Sequence, residues 1–119
     1  MAMTKPLGPY TPAVRAGDWI IVSGQLGQRD GKLVDGLSAQ TSQVVANLTT
    51  LLAEHGAALA DVSKTLCFLI DFSPAVFAEF NDAYVAGFAG HRPARSTIGV
   101  AALPGGAAVE IEAWAYKPA

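Results

Sequence analysis

The chain has 119 residues, 51% hydrophobic and only 15% charged, with a formal net charge of -2 at pH 7. That is the length of one domain, 1–119, with enough chain to bury a core, and its acidic balance argues against a basic nucleic-acid-binding surface. The lone cysteine, Cys67, excludes an internal disulfide, no apolar run reaches membrane-spanning length and residues 1–6 lack a signal-like stretch, so a cytoplasmic chain bound to neither membrane nor nucleic acid is expected.

Gly8-Pro9-Tyr10-Thr11-Pro12 reads as a turn-rich entry. A short strand begins at Ala13 and Val14, and Gly17-Asp18 reverses the chain. Trp19-Ile20-Ile21-Val22-Ser23-Gly24 is a β-branched run bounded by turn residues, hence a buried strand. A glycine turn over 28–32 follows, after which Leu33-Val34 pair briefly. Over 37–55 the pattern turns helical. Val45, Leu48, Leu52 and His55 share one stripe, Val44 and Leu51 lie beside it, and Gly56 suits the position after the helix end.

Residues 62–70 form the next strand, ended by Asp71. Ser73-Pro74 supplies an N-cap and a first-turn proline for a helix that buries Phe77, Phe80, Tyr84 and Phe88. Residues 95–101 and 109–116 make two more strands, and Leu103-Pro104-Gly105-Gly106 fits a hairpin between them. The order β-β-(β)-α-β-α-β-β is an α+β layout in which two helices cover one face of a sheet. In the last strand Val109, Ile111, Ala113 and Ala115 share a face, while Glu110, Glu112, Trp114 and Tyr116 share the other. A face mixing acids with large aromatics suits a subunit contact beside a wet cleft. With so few charges on so apolar a chain, exposed patches and a homo-oligomer are expected.

The segment His91-Arg92-Pro93-Ala94-Arg95-Ser96-Thr97 and the returning Val109-Glu110-Ile111-Glu112 carry the chemistry. A guanidinium is a planar fork that grips a carboxylate or phosphate by two parallel hydrogen bonds. A carboxylate can hold or polarise a water. Together they point to a small carboxylate-bearing substrate attacked by water. Arg95 also admits a plain interface ion pair, Tyr10 interface packing, and Asn81 a brace on local backbone. Glu112 reads as a solvated strand position. Ser23 has no base within sequence reach, so it is not read as a nucleophile. Cys67 reads as inert core, His55 and His91 as groups near helix ends, and the aromatic stripe as core. No metal site is expected.

Gly8-Pro9-Tyr10, Ser23-Gly24-Gln25, Gln40 through Asn47-Leu48, Asp61-Val62-Ser63-Lys64-Thr65, Phe80-Asn81-Asp82-Ala83-Tyr84, Pro93-Ala94-Arg95-Ser96, Leu103-Pro104 and Glu110-Ile111-Glu112-Ala113 occur in this order along nearly the whole chain. In that order the chain resembles the RidA (YjgF/UK114) family of reactive-intermediate deaminases. The resemblance implies a chorismate-mutase-like fold with a mixed sheet, and a homotrimer with a central β-barrel and clefts between subunits. It implies hydrolysis of enamine and imine intermediates, such as 2-aminoacrylate and 2-iminopropanoate, to 2-keto acids and ammonia, with no cofactor. Arg95 matches the arginine that takes the substrate carboxylate, and Glu110 the acid that positions water or shuttles a proton. Thr97, Tyr10, Gly24 and Asn81 match substrate-binding positions. Many members carry cysteine where this chain has Thr97, and a role for the backbone at that position survives the change. The alternative is a non-catalytic trimer that binds or senses small carboxylates such as 2-keto acids.

Overall fold

Residues 6–119 are described by a computed structural model. The reading that residues 1–6 lack a signal-like stretch falls, for residues 1–5, outside the described ones. Strand β1 (Ala13–Ala16) turns through Gly17, at φ 62°, into β2 (Trp19–Leu26). A miniature hairpin of β3 (Gln28–Arg29) and β4 (Lys32–Leu33) closes over Asp30 and Gly31, both left-handed at φ 55° and 80°. Helix α1 (Leu37–Ala53), strand β5 (Val62–Leu69), helix α2 (Pro74–Phe88), strand β6 (Ala94–Gly99) and strand β7 (Val109–Tyr116) complete the chain.

The cap signals hold. Ser73 Oγ accepts a hydrogen bond from the Val76 amide at 3.2 Å, one of the orphan donors of the first turn of α2. After α1, Gly56 turns left-handed at φ 77°, and the Ala57 amide bonds back to the Leu52 carbonyl at 2.9 Å.

The five long strands form one mixed sheet in the order β1-β2-β7-β5-β6, and both helices lie on one face of it. Val44, Val45, Leu48, Leu51 and Leu52 of α1 meet Phe80, Tyr84 and Phe88 of α2 and the buried row Val109, Ile111, Ala113 and Ala115 of β7. Gly87 of α2 packs directly on Val45 of α1, where an added Cβ would lie 3.0 Å from the valine side chain. The other sheet face has no helix. It presents Val14, Trp19, Ile21 and Ile98 to solvent with Trp114 beside them, as the acid-and-aromatic alternation anticipated.

One expectation fails. Residues 103–106 do not form a hairpin, because β6 and β7 are not neighbours. β5, α2 and β6 make a crossover unit that lays β6 parallel to β5, while β7 runs antiparallel along the other edge of β5. The connection therefore passes over the end of β5. There the Val100 amide bonds Leu69 O at 2.9 Å, the Ile70 amide bonds Ala108 O at 3.4 Å, and Pro104–Gly106 curl into a 3-10 turn.

Candidate active site

Arg95 and Glu110 stand on opposite faces of the sheet. Arg95 pairs in register with Thr65, and Thr97 with Cys67, all on the helix-covered face. Glu110 pairs with Phe68 on the open face. β5 separates their strands, a backbone gap of about 10 Å for two strand spacings. Within one chain the two candidate groups therefore do not meet, and each has a candidate half-site of its own.

The first half-site is a cleft of about 400 Å³ whose walls include Tyr10, Ser23, Gly24, Pro104, Glu110 and Glu112. It exists because β2 breaks register against β7 between Val22 and Gln25, and Gly24 sits in that irregularity. A bulge re-aims the strand there. An added Cβ at Gly24 would overlap the Glu110 carboxylate, with its Cδ at 2.7 Å. The glycine therefore makes room for this acid, a role that its match to a substrate-binding position does not reveal. Burial raises the carboxyl pKa of Glu110 above its ordinary value and the neighbouring Glu112 charge raises it further, while burial alone raises Glu112. Tyr10 is exposed and leans over the cleft, its hydroxyl accepting from the Leu7 amide at 3.1 Å. Ser23 Oγ donates to Thr11 O at 2.8 Å, so its proton is engaged in holding the entry segment.

The cleft is anchored from behind. Asn47 of α1 is buried, and its amide donates to the carbonyls of Leu26 and Gln28, both at 3.0 Å. Gln40, on the same helix, accepts from the Ala108 amide at 2.9 Å. Gly27 lets α1 approach so closely that a Cβ there would lie 2.6 Å from Gln40 Cα. These polar ties run from α1 to the two segments that flank Gly24 and Glu110.

The second half-site lies between β6 and α2. The Arg95 guanidinium carbon stands 4.9 Å from the ring centre of Tyr84, 5.3 Å from Phe80 and 5.6 Å from Phe77. Among the described residues the one ion pair is Lys117–Asp61, so no carboxylate claims Arg95. Thr97 Oγ1 and Asn81 Oδ1 are buried and have no hydrogen-bond partner among the described residues. Such groups cost free energy unless something satisfies them. Arg95 is thus a cation without an ion-pair partner, while Thr97, two residues along the same strand face, and Asn81 on α2 each keep a buried oxygen without one among the described residues. The bracing role open to Asn81 is not what its Oδ1 performs.

The remaining candidates stay structural. Cys67 is buried and its thiol is pushed up to about 11 by that burial, so it stays protonated. His55 Nδ1 lies 3.2 Å from Leu51 O and His91 Nε2 lies 2.7 Å from Val62 O. No set of three or more His, Cys, Asp or Glu side chains is placed to hold a metal among the described residues, and no helix there is long and apolar enough to cross a membrane.

The family described as Endoribonuclease L-PSP matches residues 2–117. A RutC family protein of Pyrococcus abyssi is 39% identical over 116 residues, which cover 95% of this chain and 90% of that protein. A protein of Dermatophagoides farinae named 2-iminobutanoate/2-iminopropanoate deaminase is 38% identical over 111 residues, covering 91% of this chain and 85% of its own length. The crystal structure of RidA from the Antarctic bacterium Psychrobacter sp. superposes with a TM-score of 0.91 at 37% identity, covering 97% of this chain and 94% of that one.

Proposed function

Because the chain belongs to the RidA (YjgF) family, matched over residues 2–117, we propose that it hydrolyses small 2-imino acids of the 2-iminopropanoate type, in equilibrium with their enamines. The products are the 2-keto acid and ammonia. The observation that carries this reading is the pair of complementary half-sites: an uncommitted Arg95 with buried, unpartnered Thr97 Oγ1 and Asn81 Oδ1 on one face, and a Glu110 cleft on the other. Bringing the first half of one protomer against the second half of a neighbour would make one complete site, which the homotrimer implied by the family resemblance would supply between its subunits. The exposed Trp19, Ile21 and Ile98 on the helix-free face supply apolar area for such assembly.

In the joined site the Arg95 fork takes the substrate carboxylate and fixes the C=N carbon in the cleft. Glu110 accepts a proton from water as its oxygen bonds to that carbon. Glu110 returns the proton to the nitrogen of the carbinolamine so formed; the C–N bond then breaks as the hydroxyl oxygen closes the C=O bond, ammonia leaves, and the hydroxyl proton passes back to the Glu110 carboxylate and on to ammonia or water, leaving the 2-keto acid. Tyr10 and Gly24 bound the space over the reacting carbon. A protonated imine is already electrophilic, so this scheme asks only for orientation, a held water and one proton carrier. Glu110 and Glu112 line the cleft with carboxylates, which would repel a phosphate backbone there and disfavour a ribonuclease reading. The lone buried thiol suits a cytoplasmic setting.

The test is to generate 2-iminopropanoate with an amino-acid oxidase and follow its loss. Acceleration by the wild type, abolished in Arg95→Ala and in Glu110→Ala, is expected. Binding of keto acids without acceleration would make the protein a carboxylate-binding trimer instead.

A further inference from the structure

Arginines that grip ligands are commonly held in place by a protein carboxylate, but a carboxylate also competes with the ligand for the same N–H fork. Arg95 is held differently. Its guanidinium lies within 4.9–5.6 Å of three aromatic ring centres and has no ion-pair partner among the described residues. A ring face attracts a cation through its quadrupole without consuming a hydrogen-bond donor, so the cation keeps its full charge and its fork.

The nearest of the three rings is pinned. Tyr84 is buried, and its hydroxyl lies 2.7 Å from the buried hydroxyl of Thr65. Thr65 is the in-register neighbour of Arg95 across the β5–β6 pairing. A closed circuit results: the Arg95 backbone is paired with Thr65, Thr65 fixes Tyr84, and Tyr84 carries the Arg95 side chain. Phe80 and Phe88 pack against Tyr84 with ring centres 5.6 and 4.6 Å away, so the ring has little room to move. Burial pushes the Tyr84 hydroxyl above its ordinary range, and the ring stays neutral at physiological pH.

We infer that Tyr84, locked by Thr65, is a positioning residue: its ring face holds the Arg95 guanidinium aimed and unneutralised for a carboxylate. This rests on Arg95 being the carboxylate anchor. The expected signature is in binding, because the carboxylate does not change charge during the reaction. Lost aim raises KM and the Kd of the product, with kcat little altered.

The experiment measures pyruvate affinity by calorimetry, which needs no turnover, beside imine turnover for the wild type, Tyr84→Phe and Tyr84→Leu. Tyr84→Phe keeps the ring face but loses the Thr65 hydrogen bond, so its constants fall between those of the wild type and Tyr84→Leu, which weakens pyruvate binding and raises KM by about 3- to 10-fold, the range of a partly desolvated cation–ring contact. The Arg95 Nε–H proton in the nitrogen–proton spectrum of the wild type is expected upfield of ordinary arginines through ring current. That spectrum decides the matter even where Tyr84→Leu fails to fold, since an unshifted resonance overturns the inference outright. Unchanged constants in a folded Tyr84→Leu overturn it too, while leaving the deaminase reading standing. A wild type that neither binds pyruvate nor turns over imine overturns both.

Discussion

At the scale of single residues, two side chains explain why the cleft has its shape. Glu110 occupies the volume that any side chain at position 24 would fill, with its Cδ 2.7 Å from where a Cβ would stand. Gly24→Ala should therefore displace the carboxylate more than it disturbs the fold. We expect at least a tenfold loss in kcat/KM with a stability loss of about 1–3 kcal/mol, the usual cost of overpacking. Shortening the acid in Gly24→Ala/Glu110→Ala should return the lost stability without returning activity, and paired melting and kinetic measurements check both. The protonation of Glu110 follows from the same crowding. Burial and the Glu112 charge both hold its carboxyl above the ordinary value of 4.5. A group that must be ionised to take a proton from water is inactive below its pKa, so activity should rise with pH across a limb lying above 4.5. Removing the like charge in Glu112→Gln should slide that limb toward lower pH. A limb that moves upward, or stays fixed, contradicts the coupling.

At the scale of elements, α1 sets the position of the strands that carry the cleft. Asn47→Ala would strip two carbonyls, Leu26 O and Gln28 O, of their buried donor, and a cost of about 2–4 kcal/mol in denaturant unfolding is expected. The helix itself was legible from its apolar stripe, and so was β7 from strict alternation, because both periods are local. Ser73-Pro74 and Gly56 marked the α2 start and the α1 end for the same reason. The false hairpin shows where local signals stop. Proline and glycine after Leu103 specify a turn, but which strand β7 lies beside is decided by the crossover of β5, α2 and β6, whose pairing partners are far apart in sequence. Of the aromatic stripe of α2 read as core, Phe80, Tyr84 and Phe88 are buried, and Phe77 is partly buried against them. That the stripe also carries Arg95 could not be seen, since it depends on β6 lying against that helix.

For the whole molecule, what matters is that Arg95 and Glu110 lie on opposite faces of the sheet. The candidate residues could be picked out in order along the chain; their separation could not, because facing depends on strand parity and sheet order together. If a closed ring joins them, Arg95→Ala and Glu110→Ala, each inactive alone, should complement when unfolded together, mixed equally and refolded. Each site then has an even chance of an intact half from either neighbour, so about one quarter of the wild-type rate is expected. No recovery would mean that both residues serve the same site from one protomer. Trp114→Lys places a charge beside the apolar hollow of about 440 Å³ that it shares with Trp19 and Ile21, and should yield smaller particles by light scattering together with lost turnover.

The back-to-back arrangement of Arg95 and Glu110 also bears on dosage. On the proposed reading, a freshly synthesised or highly diluted chain would hold every chemical group the reaction needs and could still do nothing with it. Specific activity should therefore climb with protein concentration before levelling off, so that a cell halving its supply of this chain near the assembly threshold would forfeit more than half of the capacity.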